Sequence, residues 1–240
     1  MSKPFKFKEF TIQQDKTAMK VGTDGVLLGA WCAVNTYPDA ILDIGAGTGV
    51  IALMLAQRSD AMTIDAVEVD AHGYEQTVEN FEKSDWGDRL YCYNATFQEF
   101  ANEISEEAET YDLIVANPPF YTDSFETESD ARNKARFTSS LSFEELMKGV
   151  SKILSKNGIF SIVIPFKEEA NMINIAKEYH LFLNKSCRVQ GNKTTEIKRS
   201  LLEFSFQQTV THKTHLIIEI ERHRYTEDYI NLTKDFYLKM

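Results

Sequence analysis

Cysteine is scarce in this chain. Three residues, Cys32, Cys92 and Cys187, are spread over 240 positions. An odd, scattered set supplies neither a disulfide framework nor zinc-ligand spacing, so a reducing cytoplasm is the expected compartment. No run approaches the roughly 18 consecutive apolar residues of a membrane span, and the N-terminus has no apolar signal-peptide core. The five histidines contain no HExxH. His212 and His215, near a strand end, read as solvated residues, and no metal is expected. Internal repeats and low-complexity linkers are also missing, which excludes solenoids and tethered modules. Net positive charge is missing too, at −10 overall, but the deficit is uneven. Residues 1–20 and 181–240 are each +3, which leaves the centre at −16. Basic ends around an acidic middle leave a polyanionic partner open, although solvated surface charge explains the pattern equally well.

What is present is a regular alternation. "AILDIG" (40–45), "MTIDAVEV" (62–69), "LYCYNA" (90–95), "YDLIVAN" (111–117) and "GIFSIVIP" (158–165) read as strands. Helical patterns at 49–58, 71–83, 97–108, 142–155 and 167–180 separate or follow them. Strands alternating with helices of this length predict right-handed βαβ crossovers and a mainly parallel sheet covered on both faces. After residue 181 the pattern changes. "LNKSCRVQ", "RSLLEFSFQ" and "HLIIEIE" read as strands joined by short polar loops, which predicts antiparallel pairing at one sheet edge. A terminal helix is expected over 226–238, with Thr226 as its N-cap. At 43% apolar residues the chain suits one domain. Residues 1–39 would then form an N-terminal cap, 40–180 the βαβ core and 181–240 the edge strands and final helix.

"LDIGAGTGV" (42–50) places Gly45, Gly47 and Gly49 between the first core strand and a helix. Glycines there permit a tight turn and close approach of a ligand to the backbone. A dinucleotide fingerprint needs glycine at position 50, where Val50 stands, so the spacing is GxGxG. Asp43 precedes the loop, and Glu68 closes the second strand, where a carboxylate can accept both hydroxyls of a ribose. Together these features favour an adenosyl cofactor over simple turn chemistry.

At this point the chain resembles the class I S-adenosylmethionine-dependent methyltransferases. The resemblance implies a Rossmann-like α/β fold, with a mainly parallel seven-stranded sheet, an antiparallel edge and helices on both faces. It also implies S-adenosyl-L-methionine as cofactor, with Asp43 indirectly holding the methionine amino group and Glu68 on the ribose diol. The family often has an aspartate at the end of the third strand, touching the adenine amine. Thr96 stands there instead, so the adenine contact is expected from the Thr96 backbone and from Phe97.

"DLIVANPPFY" (112–121) runs a buried strand into Asn117, two prolines and two aromatics. Proline lacks an N–H and fixes φ, so Pro118 and Pro119 end the strand abruptly. A planar amine is a poor nucleophile because its lone pair is delocalised. Two acceptors, the Asn117 side-chain oxygen and the Pro118 carbonyl, can each take one N–H and draw that nitrogen toward tetrahedral geometry. Such bonds strengthen as positive charge develops on nitrogen, so they favour the transition state. Phe120 or Tyr121 can stack on a flat substrate. The motif resembles the [N/D]PP[F/Y] signature of methyltransferases acting on exocyclic or amide nitrogens. Asn117, Pro118, Pro119 and Phe120 are therefore the candidate catalytic residues.

The flanks narrow the substrate. "QDKTAMKVGTDGVLLGAW" (14–31), "ARFTSSLSFEELM" (135–147) and "DFYLKM" (235–240) resemble bacterial enzymes that methylate the adenine amine at position 37 of a valine tRNA. The resemblance implies that Lys20, Gly22 and Thr23 lie over the methionine end of the cofactor, and that the partner is tRNA. Arg132, Lys134 and Arg136, in a long polar loop, are candidate phosphate contacts, as are cations of the N-terminal segment and of residues 185–199. A monomer is the favoured state. Two alternatives stand beside this reading. One is guanine-N2 methylation of ribosomal RNA on the same fold, and the other is a non-catalytic cofactor- or RNA-binding module.

Overall fold

The computed structural model describes residues 3–118 and 141–239. Along the chain the elements are β1 (Phe5–Lys6), β2 (Thr11–Ile12), α1 (Thr23–Trp31), β3 (Ala40–Ile44), α2 (Val50–Arg58), β4 (Thr63–Val67) and α3 (Ala71–Glu82). Then come β5 (Leu90–Tyr93), α4 (Phe97–Glu106), β6 (Tyr111–Ala116), α5 (Phe143–Ile153), β7 (Leu154–Pro165) and α6 (Glu169–Glu178). The chain closes with β8 (Phe182–Asn192), β9 (Ile197–Ser205), β10 (His212–Glu221), β11 (Arg224–Tyr225) and α7 (Glu227–Thr233).

The strands that read as continuous apolar runs are buried on both faces, as that pattern requires. Ile41, Leu42, Ile44, Leu113, Ile114 and Val115 are almost wholly excluded from solvent. One core joins the sheet to α1 and α2 and to residues near both chain ends, including Phe7, Phe10, Tyr229 and Phe236. The other packs α4, α5 and α6 residues such as Phe100, Leu146 and Met172 against the opposite face. Helix starts follow their side-chain chemistry. Thr96 and Ser142 each form a reciprocal capping box, with Glu99 and Glu145, at the start of α4 and α5.

The main sheet has the order β11-β10-β8-β9-β7-β6-β3-β4-β5. Pairs among β3, β4, β5, β6 and β7 are parallel, and β7–β9 and β8–β9 are antiparallel. The mainly parallel sheet with an antiparallel edge is therefore present, but among the described residues it carries nine strands rather than seven. The expectation for the third edge strand needs correction: β10 pairs with β8 in parallel. Both sides of β9 are occupied, by β7 and β8, so the outer side of β8 is the free edge. A chain leaving β9 and turning back toward that edge travels in the direction of β8. The terminal helix is also shorter than expected, at Glu227–Thr233. The next residues instead reach the N-terminal hairpin, where Lys8 N donates to Phe236 O at 2.8 Å and Phe7 bridges Tyr237.

Candidate active site

β3 is the strand at which the sheet order reverses, and ligands of open α/β sheets bind at the carboxyl ends beside such a point. The register aligns these ends. Ile44 pairs with Val67 on one side and with Ala116 on the other. Gly45, Glu68 and Asn117 therefore leave the sheet at one level, from three adjacent strands.

The turn after β3 is left-handed at three positions, with φ of 74° at Gly45, 59° at Gly47 and 74° at Gly49. L side chains rarely adopt that region, which explains glycine at all three. Two of them also face open space. A Cβ added at Gly45 or Gly47 would meet nothing within 4 Å. At Gly49 it would lie 2.7 Å from Phe81 Cε1, so this third glycine serves packing against α3. Glu68 reaches across beneath the loop. Its Oε2 accepts from Gly47 N at 2.8 Å and its Oε1 from Asp70 N at 2.9 Å.

Asp43 is buried to 1% exposure. One carboxylate oxygen accepts from Ala52 N at 3.2 Å, while Oδ1 has no hydrogen-bond partner among the described residues. Burial pushes the Asp43 carboxyl up to about 7, the Ala52 N–H partly offsets this, and the Glu68 charge adds to it. A buried acceptor without a donor costs free energy. An open glycine cradle, an acceptor-rich carboxylate and a second carboxylate one strand away together fit an adenosyl amino acid.

Asn117 follows β6 directly and is half-buried, with Pro118 buried behind it. Its side chain makes no hydrogen bond to another described residue. It sits beside α1, since a Cβ built at Gly25 would lie 3.6 Å from Asn117 Nδ2. α1 starts at Thr23 with Gly22 as N-cap, and Lys20, Gly22 and Thr23 are exposed on that approach. The structure thus brings Asn117, the start of α1 and the glycine loop to one sheet edge. Asp24 ties the same turn to the sheet through an ion pair with Arg199 at 2.7 Å.

The residues after the third core strand have local structural roles. The Thr96 hydroxyl is committed to capping α4, with Glu99 Oε2 at 2.6 Å. Phe97 is 5% exposed and packed in the core against Gly149, where an added Cβ would fall 2.4 Å from its ring. The Phe97 side chain thus fills the α4–α5 interface. Pro119, Phe120, Tyr121, Arg132, Lys134 and Arg136 lie outside the described residues. Sequence reading missed Gln76, Thr77 and Asn80 of α3, which are buried and bonded to the loops around the site. Their signal was polarity at positions where the helical period places a buried face beside Phe81.

A family model described as the methyltransferase small domain matches residues 27–184. The chain belongs to this methyltransferase family. Its methyl donor is S-adenosyl-L-methionine. The methyltransferase also has relatives that match it from end to end. A protein of Christiangramia forsetii named tRNA1(Val) (adenine(37)-N6)-methyltransferase is 54% identical over 239 residues, covering 100% of this chain and 99% of the relative. A Flavobacterium psychrophilum protein of the same name is 55% identical, covering 98% and 100%. A Bacteroides fragilis one is 45% identical over the full length of both. Among solved structures, Agrobacterium tumefaciens protein Atu636, described as a predicted O-methyltransferase, superposes with TM-score 0.68. It is 18% identical and the match covers 89% of this chain and 96% of that one, so the fold is shared. No helix among the described residues is long and apolar enough to cross a membrane.

Two expected results follow for this methyltransferase. Glu68→Ala should weaken cofactor binding in calorimetry by about tenfold, the scale of a lost charge-assisted hydrogen bond to a ribose hydroxyl. Unchanged affinity would move the ribose contact to Asp70. The second result concerns pH. A carboxyl whose folded value is raised from 3.8 to about 7 penalises the fold when ionised, and stability falls as pH rises through that interval. A cationic amino group bound nearby favours the ionised form, so cofactor affinity should move the opposite way. It should drop roughly tenfold between pH 7.5 and 6, and Asp43→Asn should flatten that dependence.

Proposed function

We propose that this chain transfers a methyl group from S-adenosylmethionine to the exocyclic N6 amine of adenine 37 in tRNA1(Val). The observation that carries this reading is the full-length match, at 54% and 55% identity, to relatives bearing that name. The site chemistry agrees with it. The bound cofactor supplies an electrophilic methyl on a sulfonium sulfur. Asn117 Oδ1 accepts one N–H of the adenine amine, and the Pro118 carbonyl accepts the other. Both acceptors are held in direction, one by the half-buried position beside Gly25 and one by the proline ring. Neither needs to remove a proton before attack, because the two hydrogen bonds stabilise the positive charge that grows on nitrogen. The N–CH3 bond forms as the S–CH3 bond breaks, S-adenosylhomocysteine leaves as the neutral thioether, and the surplus proton on nitrogen passes to water after transfer. Holding the amine in line with the methyl contributes much of the remaining rate.

Gly45 and Gly47 leave room for the cofactor, Asp43 faces its amino end and Glu68 its ribose. Lys20, Gly22 and Thr23 cover the methionine end. The Thr96 backbone contributes at the adenine end. Phe120 and Tyr121 provide stacking surface, and Arg132, Lys134 and Arg136 meet phosphates. A base in an anticodon loop is already partly unstacked, so extruding it toward Asn117 costs only a few kcal/mol. The enzyme acts as a cytoplasmic monomer. Nucleoside mass spectrometry of tRNA from a strain lacking this protein is the test. Loss of N6-methyladenosine from the valine tRNA is expected, and an unchanged nucleoside profile would contradict the proposal.

A further inference from the structure

Three polar side chains on α3 are almost wholly buried: Gln76 and Thr77 at 0% exposure and Asn80 at 1%. Buried polar groups need partners. Gln76 Nε2 donates to Glu79 Oε2 at 3.3 Å on α3 itself, and the bonds that leave α3 for the loops go to backbone groups of two separate segments. Thr77 Oγ1 donates to Gly47 O at 3.0 Å. Asn80 Nδ2 donates to Thr48 O at 2.9 Å and to Gln13 O at 2.9 Å, while its Oδ1 accepts from Gln13 N at 2.8 Å. Gln76 Oε1 accepts from Lys16 N at 3.0 Å. One seam on α3 therefore fastens both the glycine loop and residues 13–16.

Residues 13–16 are the first part of a strap that continues to Gly22 and α1. Gln14 braces its course, donating from Nε2 to Lys3 O at 2.9 Å and accepting at Oε1 from Val21 N at 3.0 Å. The far end of the strap opens into α1, whose Gly25 lies against Asn117. The strap thus starts beside Thr48 of the glycine loop and finishes beside the amide at the end of β6. Its anchors are on either side of the cofactor site.

We propose that Gln76 and Asn80 are positioning residues that set cofactor affinity by seating the 13–22 strap across that site. The inference rests on the reading that the glycine loop holds S-adenosylmethionine. A seated strap is ordered before the cofactor arrives. When the seam is broken, that ordering must happen on binding and is subtracted from affinity. The three side chains divide the effect. Of the two segments, Thr77 bonds the glycine loop, Gln76 the strap, and Asn80 both.

The informative variant is Gln76→Met, which keeps the side-chain volume, removes the bond to Lys16 N together with the one to Glu79, and leaves the glycine loop untouched. The full-length protein is titrated with S-adenosylmethionine in a calorimeter. Kd should rise about fivefold or more, the scale of one net hydrogen bond, while kcat at saturating cofactor stays within about twofold. Trypsin cleavage after Lys16 and Lys20 should accelerate in the variant, a change that a general loss of packing elsewhere would not produce selectively. Asn80→Ala should raise Kd further. Should Asn80→Ala fail to fold, Gln76→Met still decides the matter. Wild-type affinity and wild-type cleavage in Gln76→Met, with the parent protein binding normally, would overturn the inference alone. A parent protein that gives no heat with the cofactor would overturn the glycine-loop reading and this inference with it.

Discussion

Asn117→Ala is expected to lower kcat by about a hundredfold or more, on the scale of removing one preorganised hydrogen-bonding group from an active site. Cofactor affinity and the melting temperature should change little. The side chain is half-buried and bonds no other described residue, so its removal strands no partner among them. The fold at this point depends on Val115, Ala116 and Pro118, which are buried and unaltered. Turnover depends on an acceptor at the end of β6, since without Asn117 Oδ1 only the Pro118 carbonyl remains to orient the amine. Circular dichroism, cofactor titration and single-turnover rates on one preparation separate the two roles. A variant that loses its fold together with its activity would assign Asn117 to ending the strand.

The glycine loop should give two opposite phenotypes within three residues. Gly49→Ala is expected to damage the fold. Its φ of 74° strains an L residue, and the new Cβ would meet Phe81 Cε1 at 2.7 Å and Thr77 Cγ2 at 3.1 Å. Backbone strain and overpacking each cost about 1–3 kcal/mol. At about 2–4 °C per kcal/mol in a chain of this size, the melting temperature should fall by roughly 5–15 °C. Gly47→Ala carries the strain without the clash, because its Cβ would project into open space. Its melting temperature should fall by only a few degrees, whereas Kd for the cofactor should rise at least about tenfold as the methyl group occupies the cradle. Thermal melts with and without S-adenosylmethionine distinguish the two. Wild-type cofactor binding by Gly47→Ala would mean that the space above the loop is not where the cofactor sits.

The α/β core was legible because its strands are buried on both faces, so that Ile41–Ile44 reads as an apolar run broken only at Asp43 and Leu113–Ala116 as an unbroken one, each leading directly into a glycine or Asn-Pro turn. The candidate site residues on that core stood out against the same background. Asp43, Glu68 and Asn117 interrupt the apolar pattern at strand ends, where a charged or amide group has no packing role. The edge was harder. Short loops suggested successive antiparallel partners, and nothing local to His212–Glu221 records that β9 is already flanked on both sides. The local roles of Thr96 and Phe97 were not legible from family position, one side chain serving as a cap and the other as core. Gln76 and Asn80 were passed over because a polar helix face ordinarily meets water, and only tertiary contact shows the strap that covers it.

The most direct measurement offers the purified protein and labelled S-adenosylmethionine to three RNAs. These are unmodified tRNA1(Val), the same tRNA with guanine at position 37, and ribosomal RNA. Label should enter the native tRNA alone and be recovered as N6-methyladenosine. Label recovered as N2-methylguanosine from ribosomal RNA, with the tRNA untouched, would contradict the account and point to the guanine amine as substrate.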